Sequence, residues 1–204
     1  MAETVVLKGL ATEEKKVLIL DACLRSLAQH GYGKTTLDII AQEVGVSKGT
    51  LSYYFNNKEE LIAASIEHSG NSILETFKEA IANYDEPQQK INVGLNILFD
   101  FFYNDFAYIN VYYDLLAQGL YSERLRQPLK NVTKRFRDIF LELLMDGDSA
   151  KAVNDKSNTM MKAAMLACLV DGIVKQIVID SEAFRGVDVR KGMENIFNKI
   201  CETI

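Results

Sequence analysis

The chain has 204 residues, enough for one large domain or for a small head on a larger body. Hydrophobic residues make up 48% and charged residues 25%, with only two prolines, which excludes a disordered chain and leaves long helices open. The net charge of −5 does not exclude a nucleic-acid partner, because residues 1–58 carry seven Lys/Arg against six Asp/Glu and the acidity lies in the remainder.

Residues 1–11 have no clear period and are expected to form a flexible arm. Thr12 is a candidate N-cap, with Glu13 and Glu14 where negative charge suits a helix start. Ile19, Leu20, Cys23, Leu24, Leu27 and Ala28 then recur on one face of a helix, which His30 and Gly31 close. Thr35 or Thr36 can cap a short helix carrying Leu37, Ile40, Ala41 and Val44, ended by Gly45. Ser47 caps a second short helix to about Phe55, and Asn57 with Glu60 forms a capping-box pair that opens a fourth. Further helices are predicted over Lys58–Tyr84, Pro87–Asn104, Phe106–Leu120, Ser122–Met145 (kinked at Pro128), Asp155–Asp180 and Val187–Cys201. No alternating β pattern intervenes, so the class is all-α with about nine helices.

The window from Leu37 to Tyr54 meets the demands of a helix-turn-helix. Two short helices that cross steeply need a small residue at the crossing, a turn residue that tolerates positive φ, and apolar inner faces. Ala41, Gly45, and the set Ile40, Val44, Val46 and Leu51 supply them. The outer positions Lys48, Thr50, Ser52, Tyr53 and Tyr54, with Lys58 beyond, carry groups that donate to phosphates or to a guanine edge. Successive helical residues point about 100° apart, so Tyr53, Tyr54 and Phe55 cannot all face inward. Phe55 is the expected anchor.

The stretch from Ile19 to Leu61, with GYGKTTLDIIAQEVGVSKGTLSYYFNNKEEL at its heart, resembles the DNA-binding head of the TetR family. The resemblance implies a three-helix head over residues 1–57 and a helical body over 58–204 that binds a small molecule and dimerises. The DNA-contacting set is then Lys34, Thr35, Thr36, Ser47, Lys48, Thr50, Ser52, Tyr53, Tyr54 and Lys58. Most members have Tyr where Ser52 stands, which leaves the phosphate contact to Tyr53, Tyr54 or both. Ser at that site, with the segments LLAQGLYSERLRQPL and LACLVDGIVKQIV, is similar to the subgroup that includes the betaine-pathway repressors.

In the body, Phe102, Tyr103, Phe106, Tyr112 and Tyr113, facing Met165 and Leu169, are either core or the lining of an effector pocket. The last two helices have broad apolar faces, Met161 to Ile177 and Met193 to Ile200, which the resemblance implies pair with their twins in a homodimer. Two recognition helices would then lie roughly 34–36 Å apart on a near-palindromic duplex operator. The expected function is a ligand-responsive repressor; the alternative is a DNA-bound interaction protein that senses no ligand. His30 and His68 have no partner at metal or triad spacing and no nucleotide-binding fingerprint occurs, so no enzyme, metal or cofactor is expected. Cys23, Cys168 and Cys201 lack paired spacing and read as small core residues or, alternatively, a sensor thiol. No apolar run reaches the ~18–20 residues of a membrane span and no secretory leader is visible, so the cytoplasm is the expected compartment and no membrane is a partner.

Overall fold

The computed structural model describes residues 11–104, 106–147 and 156–202, without the side chains of 87, 88, 101–104, 106, 107, 146, 147, 156, 201 and 202. The described residues hold nine α-helices and no strand: α1 (Thr12–Lys34), α2 (Leu37–Val44), α3 (Lys48–Tyr54), α4 (Lys58–Ile81), α5 (Pro87–Asn104), α6 (Phe106–Gly119), α7 (Glu123–Gly147), α8 (Lys156–Ile179) and α9 (Val189–Glu202). A single 3-10 turn, Ser181–Phe184, follows α8, with the Asp180 carboxylate accepting from the Ala183 N–H. The expected N-terminal arm lies outside the described residues except for Ala11. None of the described helices is long and apolar enough to cross a membrane.

Local chemistry sets the helix ends. α1 begins one residue earlier than a Thr12 cap requires: Ala11 is the N-cap, and Glu14 folds back so that its carboxylate accepts from the Ala11 N–H at 2.9 Å. Gly31 interrupts regular α1 geometry at φ +72° and ψ 168°, a conformation that glycine reaches without a Cβ penalty. α7 runs through Pro128, six residues into the helix. At the start of α4, Asn57 Oδ1 accepts from the Glu60 N–H at 2.9 Å, while the Glu60 carboxylate accepts from Asn56 rather than closing the box on Asn57.

Compactness divides the chain into two units. The first comprises Met1–Ser72 with Ala107–Val132. Its core joins Ile19, Cys23 and Leu27 of α1, Ile40 and Val44 of α2, Leu51 of α3 and Leu61 and Ile62 of α4. Val111 and Leu115 of α6 and Leu125 and Leu129 of α7 complete it. The second comprises Ile73–Phe106 with Thr133–Ile204, centred on Phe77, Phe99, Phe140 and Phe197. There Phe140 meets Phe136 and Phe197 edge-on, with centroids 5.2 and 5.6 Å away. Arg190 of α9 reaches α5, donating to Asn96 at 2.8 Å and to Asp100 at 2.7 Å.

Candidate nucleic-acid interface

The interface is built on the crossing of α2 and α3. Thr36 caps α2, its hydroxyl accepting from the Ile39 N–H at 3.2 Å. Gly45 ends it at φ +79°, ψ 32°, and the Gly45 and Val46 N–H groups both return to the Ala41 carbonyl. This left-handed residue turns the chain within one step, where a side chain with a Cβ would be strained. Ser47 then caps α3, its oxygen accepting from the Thr50 N–H at 3.0 Å and lying 2.9 Å from the Thr50 hydroxyl. Each such cap is worth about 1 kcal/mol to a helix too short to stand alone. Ile40 and Leu51 are wholly buried and Ala41 and Val44 nearly so, which fixes α3 against α1 and α2.

That packing leaves one polar face outward. Lys34, Thr36, Ser47, Lys48, Thr50 and Ser52 are exposed. Tyr53 stands 83% exposed, Tyr54 is half-buried against the core, and Phe55 is buried as the anchor. The two tyrosine rings meet edge-on at 5.2 Å, so Tyr54 steadies the ring that faces solvent. Lysine ammonium and hydroxyl donors on a rigid, exposed helix suit an anionic backbone.

Two residues of the expected contact set are used internally. Thr35 is buried, and its hydroxyl donates to the Ser26 carbonyl at 3.2 Å and the Gly31 carbonyl at 2.9 Å, tying the end of α1 to the start of α2. Lys58 is half-buried; its Nζ donates to the Tyr32 carbonyl at 2.7 Å and lies 4.0 Å from the Tyr32 ring centroid. Sequence reasoning missed what converges on Tyr32. Its N–H, next to the Gly31 break, donates to Asp114 of α6 at 2.8 Å, and its hydroxyl donates to Glu59 at 3.3 Å. Burial, with the Glu59 carboxylate beside it, raises the Tyr32 phenol above its ordinary pKa. The Tyr32 and Asp114 partners are 82 residues apart, and no local pattern announces the pair.

Of the expected effector-lining residues, Tyr112 and Tyr113 belong to the first unit and Met165 and Leu169 to the second. The side chains of Phe102, Tyr103 and Phe106 lie outside the described residues. Tyr112 lines a small hollow in the first unit with Leu24, Ile66, Tyr108, Val111, Leu115, Leu129 and Val132, of about 20 Å³. Such a volume holds roughly one water. Tyr113 packs beside Tyr112, with ring centroids 5.5 Å apart. In the second unit Met165 is exposed and Leu169 half-buried on α8. No group of three or more metal-ligating side chains occurs among the described residues.

Known proteins share both the segment and the architecture. Residues 19–65 match the family model for bacterial regulatory proteins of the TetR family. The chain is 24% identical over 190 residues to the fatty acid metabolism regulator protein of Bacillus subtilis (strain 168), covering 93% of this chain and 81% of that protein. It is 25% identical over 162 residues to the transcriptional regulator BetI of Burkholderia mallei, covering 79% of this chain and 80% of that one. The solved structure of the fatty acid degradation regulator FadR from Bacillus halodurans superposes with a TM-score of 0.73 at 21% identity, covering 93% of this chain and 96% of that chain. Identity to the fatty acid regulator, 24%, and to BetI, 25%, differ by one point, so the comparisons do not single out the betaine-pathway subgroup. The matched segment, residues 19–65, is the one whose caps, turn and buried faces are described above, and over it the chain is similar to bacterial regulatory proteins of the TetR family.

Proposed function

We propose that this chain is a transcriptional regulator of the TetR family, a repressor that binds a near-palindromic operator as a homodimer and loses affinity when a small-molecule effector binds its helical body. One observation carries the DNA-binding reading: a short capped helix, immobilised by Leu51, leaves Lys48, Thr50, Ser52 and an 83%-exposed Tyr53 open to solvent around its outer side. Such contacts position a protein on the backbone, while one or two reach base edges. Thr36 and Ser47 join them at the two caps, and Lys34 flanks the face.

The dimer reading rests on α8 and α9. Met161, Met165 and Cys168 stand exposed along one stripe of α8, and Ile196 is exposed on α9. An apolar stripe of this kind on a folded surface suits a second copy. The effector reading draws on the named functions of the relatives. The hollow beside Tyr112 is too small for an organic effector as it stands, so binding there requires the surrounding helices to shift. Coupling follows if effector and operator prefer different arrangements of the two heads; the effector then lowers operator affinity by its own differential affinity for those arrangements. The reading places the protein in the cytoplasm and assigns it no catalytic step.

Selection of duplexes from a random library by the purified protein tests the activity directly. A near-palindromic consensus is the expected product, with affinity falling steeply as salt rises. Lys48→Ala and Tyr53→Ala should each weaken binding about 5- to 100-fold without changing the helical circular dichroism. Recovery of no consensus, together with a flat salt response, would end this reading.

A further inference from the structure

On the exposed face of the helix-turn-helix, the lysine that should meet DNA already holds a carboxylate. Lys48 Nζ donates to Asp38 Oδ2 at 2.7 Å across the turn, and the two side chains are 60% and 63% exposed. Asp38 is the second residue of α2 and Lys48 the first of α3, and both are anchored through their helices to the core by Ile40, Ala41 and Leu51. A carboxylate oxygen and a phosphate oxygen make the same demand on an ammonium group. Asp38 therefore takes, in the free protein, the position a DNA acceptor would take. When Lys48 turns to DNA, the Asp38 carboxylate loses its partner.

We propose that Asp38 is a specificity residue: it competes internally for Lys48, weakens binding to DNA in general, and is compensated only where a base edge offers its carboxylate a donor. In the major groove that donor is an amino group, N4 of cytosine or N6 of adenine. The inference rests on the DNA-binding reading above. Ion balance gives it a measurable consequence. A phosphate paired with Lys48 releases a condensed cation, but the Asp38 carboxylate set free in the same step recruits one, so the net release is reduced. Replacing Asp38 by its neutral isostere removes the uptake.

The test measures wild type, Asp38→Asn, Lys48→Gln and the double variant by fluorescence anisotropy over a range of salt. The probes are a random-sequence duplex and a duplex selected by the wild-type protein. Asp38→Asn should tighten binding to the random duplex about 3- to 10-fold and steepen its log–log salt slope by up to about one. The ratio of selected to random affinity should fall correspondingly. In the Lys48→Gln background the steepening should disappear, because the competitor then has nothing to hold. Both side chains are exposed, and matching melting curves would show that the fold is unaltered. An unchanged random-duplex affinity, an unchanged ratio, or the same gain without Lys48 would each overturn the proposal. If the wild type binds neither duplex, the DNA-binding reading fails and this inference with it; if it binds both and Asp38→Asn does nothing, only this inference fails.

Discussion

The helix-turn-helix and the α8–α9 pair solve the same problem of helix burial to different degrees. In α2 and α3 the inward residues Ile40, Ala41, Val44 and Leu51 are buried, and what stands exposed is polar: hydroxyl, ammonium and phenol, with the Asp38 carboxylate and the Gln42 amide. In α8, Ala163, Leu166, Val170, Val174 and Ile177 are buried, yet Met161 and Met165 remain 57% and 54% exposed on another face. The first surface is finished as far as water is concerned and suits a charged, hydrated partner. The second still presents apolar area that water disfavours, and each square ångström of it removed from solvent returns roughly 25 cal/mol. The lesson is that the chemistry left outside a packed helix identifies the class of partner better than the residues inside it do.

The largest expected effect comes from charging the unfinished surface. Met161→Glu would place two carboxylates, one per copy, in an apolar contact, at about 3–5 kcal/mol for each buried and unpaired charge. Sedimentation should show a dimer converted to monomer, with helical content retained because Met161 makes little use of the monomer's core. A dimer of undiminished affinity would assign the stripe some other role. Next comes Leu51→Ala in the finished surface. Leu51 is wholly inaccessible, and its truncation should cost roughly 2–5 kcal/mol, read as a lower denaturation midpoint, and abolish DNA binding by loosening α3. The two variants separate the regions: the first should leave stability of the head intact, and the second should leave the α8–α9 surface intact.

What was legible in the sequence follows from how local each feature is. Gly31, Gly45, Thr36 and Ser47 act on backbone within four residues, so turn and cap chemistry announces them. The 100° step of a helix likewise separates exposed Tyr53 from buried Phe55. Thr35 and Thr36 are not distinguishable in the sequence because either can cap; Thr35 is instead buried, bonded to the Ser26 carbonyl nine residues back in α1. Lys58 reads as one more surface cation until its carbonyl acceptor at Tyr32 is known, 26 residues away. Asp38 hides in the same manner, since only the completed turn brings it to Lys48. In the body, helix positions were readable from apolar periodicity, but the partners of an apolar face were not: Leu166 and Met165 are equally apolar neighbours, one buried and one exposed.

The smallest effect is a difference in thiol reactivity, and it bears on both surfaces at once. Cys23 is buried in the core of the first unit, where burial raises its pKa to about 11. The neighbouring Ser65 hydroxyl acts in the opposite direction without offsetting that burial. The thiolate is the reactive form, so at pH 8 Cys23 should be both inaccessible and almost entirely protonated. Cys168 lies exposed on the α8 stripe, two turns beyond Met161. If that stripe is the dimer contact, a disulfide reagent should label Cys168 slowly in wild type and faster as the protein is diluted toward monomer. Met161→Glu should make it fast at every concentration, while Cys23 stays slow in both proteins. Peptide mapping after labelling distinguishes these two from Cys201. Rapid, concentration-independent labelling of Cys168 in the wild type would mean that the stripe is open in solution. The contrast between the two surfaces would then need a partner other than a second copy.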